Sequence, residues 1–458
     1  MTKTILRYFL LFVLVLAGIT AVAQTASWKD VYKAKKKDTV FGIARKYGIT
    51  IQQLMDANPT MKADGYQLKK GDMVYIPNVA APNANTQTAA PSATAKETAK
   101  KKDADIRNRA IRVGVMLPLH LQDGDGLRMV EYYRGMLLAT DVLKKQNIPV
   151  DIHAWNVAAD ADIRQTLLDN SAERCDIIFG PLYTRQVKPL ANFCKTYGIR
   201  MVIPFSINGD EVAHNSQVFQ VYQSADQLNQ KAIHAFLERF PHHHPIFIDC
   251  NDTTSRKGLF TFGLRKQLDA KGVKYSITNL RSSEDMFAKA FSRKEPNVVV
   301  LNSGRSPELN IAFAKLNSLK TSQPGVSISL FGYTEWLMYT KYNLANYYKF
   351  DTYIPSTFYY NPLSSGTQQV EAAYRRWFRT EPQPSLPRFV LVGYDHALFF
   401  LQGLHRYGAG FAGSRAEMVT PPLQSPLHFK QIAGGGRQNE IFQLIHYKSN
   451  QTIDSVTY

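Results

Sequence analysis

Cysteine is scarce in this chain. Three residues in 458, Cys175, Cys194 and Cys250, carry no Cys-x-x-Cys pair, so a zinc ribbon and a dithiol redox motif are both excluded. An odd count leaves at least one thiol unpaired, while a bridge between Cys175 and Cys194 stays open. The run His242-His243-His244 is bracketed by Pro241 and Pro245 and reads as an exposed turn, not as a metal set, which needs further ligands to close. Nucleophile elbow, His-Glu-x-x-His and Walker patterns are missing. Gly434-Gly435-Gly436 precedes Arg437, Gln438 and an alternating strand, which makes it a hairpin turn and not a phosphate cradle. Asp395-His396 sits inside a helical pattern, and adjacent helical residues do not face each other, so it is no catalytic dyad. These gaps lead to the expectation of a non-enzymatic protein without metal or cofactor.

Long apolar runs are also few. The first is MTKTILRYFLLFVLVLAGITAVAQ: Lys3 and Arg7, an apolar run from Tyr8 to Ile19, then Ala21-Val22-Ala23. A positive flank, an apolar core and an A-x-A exit read as a signal peptide over residues 1–23; the run is short for a bilayer span of about 20 residues. No cysteine follows it, so a lipoprotein is not expected. The expected location is the periplasm or cell envelope. Acidic residues are the minority charge, with 55 Lys+Arg against 37 Asp+Glu. Residues 24–109 hold 16 basic and 8 acidic residues and residues 110–458 hold 37 and 29, so the short N-terminal part carries as much excess charge as the rest. Such a region suits an anionic polymer or surface. No arginine-rich helix, aromatic-interleaved basic strand or zinc spacing accompanies it, and no nucleic-acid partner is expected.

What is present begins at residue 30. The stretch DVYKAKKKDTVFGIARKYGITIQQLMDANPTMKADGYQLKKGDMVYIP predicts a strand from Val31 to Ala34. Asp38 or Thr39 caps a helix with Val40, Ile43, Ala44 and Tyr47 at helical spacing. Gly48 ends it, Thr50 caps a second helix with Ile51, Leu54 and Met55 inward, and Asn58-Pro59 closes that one. A strand from Met73 to Ile76 completes a βααβ unit. Asp38-Thr39-Val40 with Ile43-Ala44, Tyr47-Gly48-Ile49-Thr50, Leu54, Asn58-Pro59 and Leu68-x-x-Gly71-x-x-x-x-Ile76-Pro77 resemble a LysM domain, a small α+β module that binds N-acetylglucosamine glycans such as peptidoglycan. The resemblance implies a shallow groove with Asp38, Thr39, Val40 and Phe41 on one lip and Asn58, Pro59, Thr60 and Met61 on the other. Backbone groups and an amide side chain suit an uncharged acetamido sugar.

Residues 78–109 are rich in Ala, Thr, Pro and Asn and lack large apolar residues, the composition of a linker. From Ile111 the pattern alternates strand and helix: IRVGVMLPL, EYYRGMLLATDVLKK, VDIHAWN, ADIRQTLLDN, CDIIFG, YTRQVKPLANFCKTY, IRMVIPF. After QVFQVY a second set repeats it, through HPIFID, SRKGLFTFGLRKQLDAKG, YSITNL, MFAKAFSRK, NVVVLN, ELNIAFAKLNSL and VSISLFG. Short apolar strands between amphipathic helices predict an α/β fold of two doubly wound parallel sheets.

The order of Ile111–Leu117, Gly135 to Asp141, Cys175 to Pro181, Tyr197-Gly198-Ile199, Ile203-Pro204-Phe205-Ser206, Phe331-Gly332-Tyr333, Val392 to Asp395 and the late hairpin Leu427–Val456 with Asn439 resembles the type I periplasmic binding proteins of the branched-chain amino-acid-binding kind. It covers nearly all of residues 110–458. That resemblance implies two lobes, one of about 110–222 and 356–420 and the other of about 223–355 and 421–458. Crossings are expected near Tyr222–Ser224, Pro355–Phe358 and Thr420, with a ligand cleft between the lobes. The implied cleft residues are Tyr183, Thr184, Ser206, Asn208, Ser255, Arg305, Tyr333 and Glu335, with Tyr222 and Phe358 at the hinges. Together the two resemblances imply an envelope protein with peptidoglycan as one partner. The cleft would take a small molecule such as an amino acid. The alternative is a regulator or scaffold of cell-wall synthesis whose large domain contacts an envelope protein.

Overall fold

The computed structural model describes residues 28–36, 38–47, 49, 51–62, 66, 68–77, 105–205 and 209–458. The expected signal peptide, the expected linker up to residue 104, Thr50, Ser206 and Asn208 lie outside the described residues, as does the side chain of Phe41. No helix among the described residues is long and apolar enough to cross a membrane.

The chain divides into two compact units. The first is the expected βααβ module. Strand β1 (Trp28–Lys33) pairs antiparallel with β2 (Met73–Pro77), and two helices, Val40–Tyr47 and Ile51–Ala57, lie between them in sequence. The first helix is capped by Thr39, whose Oγ1 accepts the Gly42 N–H at 3.0 Å, satisfying one of the donors a helix start leaves orphaned. Ile43, Ala44, Leu54, Met55, Val74 and Ile76 form its core.

The second unit starts earlier than the sequence suggests. Residues Ile106–Asn108 form a turn capped by Asp105. The Arg109 guanidinium donates to both carboxylate oxygens of Asp176 at 2.7 Å, and the Arg112 N–H donates to one of them at 2.8 Å. This bidentate pair pins the segment expected to be the linker's end onto the folded domain.

In chain order the strands of this unit are β3 (Ile111–Leu117), β4 (Val150–Asn156), β5 (Ile177–Phe179), β6 (Arg200–Ile203), β7 (Val218–Gln220), β8 (His244–Asp249), β9 (Ser276–Asn279), β10 (Asn297–Leu301), β11 (Ile328–Phe331), β12 (Thr352–Ser356), β13 (Phe429–Gln431), β14 (Arg437–Asn439), β15 (Gln443–Tyr447) and β16 (Ile453–Thr457). They make two seven-stranded sheets, ordered β13-β14-β7-β6-β5-β3-β4 and β16-β15-β12-β11-β10-β8-β9. Neighbours are parallel except for β13–β14, β12–β15 and β15–β16.

The first crossing, between β7 and β8, and the second, after β12, fall where expected. The third does not. Because β13 and β14 join the first sheet and β15 and β16 the second, the chain crosses at residues 440–442, not near Thr420. The late hairpin is therefore two hairpins, one per sheet. The sequence hides this because both read as short alternating strands.

The expected helix ADIRQTLLDN is instead two single turns, Ile163–Thr166 and Asn170–Glu173. Asp162 caps the first turn, and Asp169 accepts the Ser171 N–H as the cap of a second one, a local bond that competes with continuation of the first. In the first lobe the helix Phe389–Tyr407 is buried nearly all round. It packs closely on the helix Gly124–Lys145: a Cβ on Gly393 would stand 1.9 Å from the Tyr132 carbonyl oxygen.

Candidate functional site

The groove lips of the small module are built more from internal bonds than the sequence suggests. Asp38 Oδ2 accepts the Tyr32 hydroxyl and the Lys35 N–H, both at 2.7 Å; these bonds hold its carboxyl below the usual range. Asn58 is 4% exposed. Its Nδ2 donates to the Leu54 and Tyr75 carbonyls, both at 2.7 Å, and its Oδ1 accepts the Tyr75 N–H at 2.8 Å. Both amide hydrogens are taken in tying the second helix to β2, and the buried Oδ1 is held by the backbone of that strand. Met61 is buried in the core. Of the residues expected at the groove, Thr39, Pro59 and Thr60 are exposed and Asp38 and Val40 are half-buried.

In the large unit, ligand-binding chemistry belongs at the carboxyl ends of the strands, where loops and helix N-termini leave polar groups unpaired by the sheet. In the first sheet β5 is followed by Gly180, whose φ of +136° suits glycine; a Cβ there would lie 2.2 Å from the Met116 carbonyl oxygen. This tight passage delivers Tyr183 as the N-cap residue of the helix Thr184–Tyr197. The Tyr183 hydroxyl donates to Asp125 Oδ2 at 3.2 Å, and Arg128 pairs with the other oxygen of that carboxylate at 2.5 Å. Desolvation and the Asp125 charge push the phenol up to about 12. Thr184 beside it is exposed. Phe205, at the end of β6, packs against Tyr132 and Phe389 with ring centroids 5.4 and 5.5 Å apart, so this rim has an aromatic floor.

The second sheet offers charge. After β8, Asp252 accepts the Ser303 hydroxyl at 2.8 Å and the Thr254 hydroxyl at 2.7 Å, and Arg305 reaches it at 3.5 Å. These hydroxyl bonds lower the Asp252 carboxyl to about 2. Lys257 Nζ donates to Glu335 Oε1 at 2.7 Å and stands 4.7 Å from the Tyr333 ring centroid. Ser255 donates its hydroxyl to the Asn302 carbonyl at 2.6 Å.

Tyr333 differs from expectation. It is 5% exposed and lies in the second lobe's core, its hydroxyl donated to the Leu301 carbonyl. Phe358 is half-buried and packs on the same core, and Tyr222 is exposed at the first crossing. Asp125, Asp252 and Lys257 went unrecognised in the sequence. Tyr183, Ser303 and Glu335, which they meet, are 58, 51 and 78 residues away, and nothing local marks those contacts.

Side chains also join the crossings. Gln223 Nε2 donates to the Ile441 carbonyl at 2.6 Å, Gln438 Nε2 to the Tyr222 carbonyl at 2.8 Å, and Lys231 Nζ to Gln223 Oε1 and the Glu440 carbonyl, both at 2.7 Å. A polar cavity of about 340 Å³ opens beside them.

Compared with known proteins, residues 32–77 match the LysM domain family. Those residues are a LysM domain. The large unit has the type I periplasmic-binding-protein fold. One solved structure with this likeness is described as a branched-chain amino acid ABC transporter from Rhodospirillum rubrum, 14% identical, with 76% of this chain and 100% of that one covered at a TM-score of 0.52. A branched-chain amino acid ABC transporter periplasmic ligand-binding protein from Burkholderia xenovorans is 13% identical over 76% of this chain and 95% of its own, with a TM-score of 0.47. An ABC transporter substrate-binding protein from Sphaerobacter thermophilus is 12% identical over 76% and 97%, with a TM-score of 0.45. At such identities the likeness concerns the fold alone. No curated protein matches the chain.

Proposed function

We propose that this is an exported, non-enzymatic envelope protein. Its LysM domain holds it to peptidoglycan, and its two-lobed domain captures a small zwitterionic solute such as an amino acid between the lobes. The observation that carries the solute reading is the half-exposed Lys257–Glu335 pair at the strand carboxyl ends. A zwitterion can exchange into such a pair, its carboxylate on the ammonium and its ammonium on the carboxylate, without leaving either protein charge unpaired. The aromatic cluster at Phe205, beside the other sheet, suits an apolar side chain. The LysM domain supports the glycan reading, with backbone groups and Thr39, Pro59 and Thr60 as contacts, together with Asp38 and Val40 as the framework of one lip.

A second reading rests on a different observation. Leu259, Phe262, Met338 and Tyr342, early in the helices that follow β8 and β11, are all exposed. Exposed large apolar side chains on the helices that follow two strands of one sheet favour a protein partner, as a regulator of wall synthesis would need.

Thermal unfolding of the whole protein with amino acids, amides and muropeptides separates the two. A ligand at 100 times its Kd adds about 2.7 kcal/mol, and Lys257→Met abolishes that gain if the pair is the ligand's anchor. No stabilisation by any solute would exclude the first reading. Sedimentation with purified peptidoglycan tests the anchor: binding is lost on deleting residues 30–77, and retained binding refutes it.

A further inference from the structure

The LysM domain contains the same turn twice. Residues 35–38 read Lys-Lys-Lys-Asp and residues 69–72 read Lys-Lys-Gly-Asp. In the first, the Lys35 N–H donates to Asp38 Oδ2 at 2.7 Å, the Asp38 N–H returns to the Lys35 carbonyl at 3.1 Å, and the Tyr32 hydroxyl donates to the same Oδ2 at 2.7 Å. In the second, the Lys69 N–H donates to Asp72 Oδ2 at 2.7 Å, the Asp72 N–H returns to the Lys69 carbonyl at 3.1 Å, and the Tyr66 hydroxyl donates to Asp72 Oδ2 at 3.1 Å. The two turns lie side by side, joined by the Ala34 N–H to the Asp72 carbonyl at 2.9 Å and the Gly71 N–H to the Ala34 carbonyl at 2.8 Å.

The consequence is a separation of charge. In each turn the carboxylate oxygen is taken by a backbone N–H and a phenol and closes the loop. Lys35, Lys36, Lys69 and Lys70 are all exposed. Residues 28–77 hold ten Lys and Arg against five Asp, so the cluster is not offset by the rest of the domain. It is continuous with the Asp38–Thr39 lip of the glycan groove.

An N-acetylglucosamine chain is uncharged and gives these lysines nothing to bind. We infer that the paired lysine turns bind the carboxylates of the peptides attached to the glycan, so that the domain prefers peptide-bearing peptidoglycan to the bare neutral sugar polymer. This rests on the glycan-binding reading above. Lysine serves here as a flexible point charge, suited to peptide carboxylates whose positions vary along a polymer. Several weak exposed pairs acting together give a preference that salt removes, since the screening length falls from about 10 Å at 0.1 M to about 3 Å at 1 M.

The test uses the full chain and three glycans of equal length: a neutral N-acetylglucosamine oligomer, a glycan with peptides bearing free carboxylates, and the same glycan with those carboxylates amidated. At low salt the carboxylate form binds about fivefold or more tighter than the amidated form, and the difference vanishes at 1 M salt. The variant K35Q/K36Q/K69Q/K70Q keeps its affinity for the neutral oligomer, which also reports that the domain is folded, and loses the preference; the corresponding four Lys→Arg changes retain it. Equal affinity for carboxylate and amidated forms overturns the inference and leaves the glycan reading standing. A preference that survives in the glutamine variant overturns its assignment to these lysines. Failure of all three glycans to bind overturns the glycan reading and this inference with it.

Discussion

Gly135 and Val390 meet backbone to backbone. A Cβ on Gly135 would stand 1.9 Å from the Val390 carbonyl oxygen, and Gly393 makes the reciprocal approach to Tyr132 one turn further along. The obstruction is main chain, which cannot rotate aside as a side chain would. Gly135→Ala therefore forces apart the two helices on which the first lobe is built. The expected cost is about 3 kcal/mol or more, read as a lowered midpoint in urea unfolding. Ala139→Ser, one turn away on the same helix, serves as a comparison without that backbone approach.

Asp395 and His396 are neighbours in sequence and buried together, yet they titrate in opposite directions. Asp395 accepts the N–H groups of Leu423, Gln424 and Ser425 at 2.8, 2.9 and 2.8 Å; burial outweighs these bonds and pushes its carboxyl up to about 7. Burial lowers His396, whose Nδ1 lies 3.0 Å from the Tyr132 hydroxyl, to about 3. The raised acid holds its proton in the folded state above pH 4, so its contribution to stability falls as pH rises from about 4 to about 7. The depressed base does the reverse, its contribution falling as pH drops from about 6.5 to about 3. Over the shared window the two cancel. Asp395→Asn thus unmasks a slope of up to about 1.4 kcal/mol per pH unit with stability rising with pH, and His396→Gln unmasks the opposite sign. Urea unfolding of both variants and the parent at pH 4.5, 5.5 and 6.5 checks this; parallel profiles would refute it.

Asn58 is a structural residue of the LysM domain. Asn58→Ala removes three hydrogen bonds and leaves the Tyr75 N–H and two carbonyls without that partner, at about 2–4 kcal/mol. Hydrogen exchange on the full protein shows faster exchange at Tyr75 and across the first unit, with the second unit unchanged. Thr60→Ala, at an exposed lip position, leaves exchange intact and weakens glycan binding.

All three cysteines are free and buried. Burial pushes the Cys175 and Cys250 thiols up to about 12 and raises Cys194 as well, so the thiolate, which is the reactive form, is scarce at neutral pH. A thiol reagent labels no cysteine in the native protein and three after unfolding. Labelling of only one after unfolding without reductant would reveal a bridge.

The βααβ module and the two rounds of strand and helix were legible in the sequence because their signals are local. Periodicity of 2 or 3.6, a cap such as Thr39 and a breaker such as Gly180 act within a few residues of themselves. Two other kinds of information were not local. Membership of a strand in a sheet is decided by partners far away in sequence, which is why β13 and β14 were placed in the wrong lobe: Arg437 aligns with Phe219 across more than two hundred residues. The fate of a polar side chain is decided the same way. Asn58, Asp38 and Tyr333 have the chemistry of ligand contacts, and their sequence positions allow it. Only the tertiary structure brings Tyr75 to Asn58, Tyr32 to Asp38 and the Leu301 carbonyl to Tyr333, and a hydrogen-bonding group already satisfied in the fold has little left to offer a ligand.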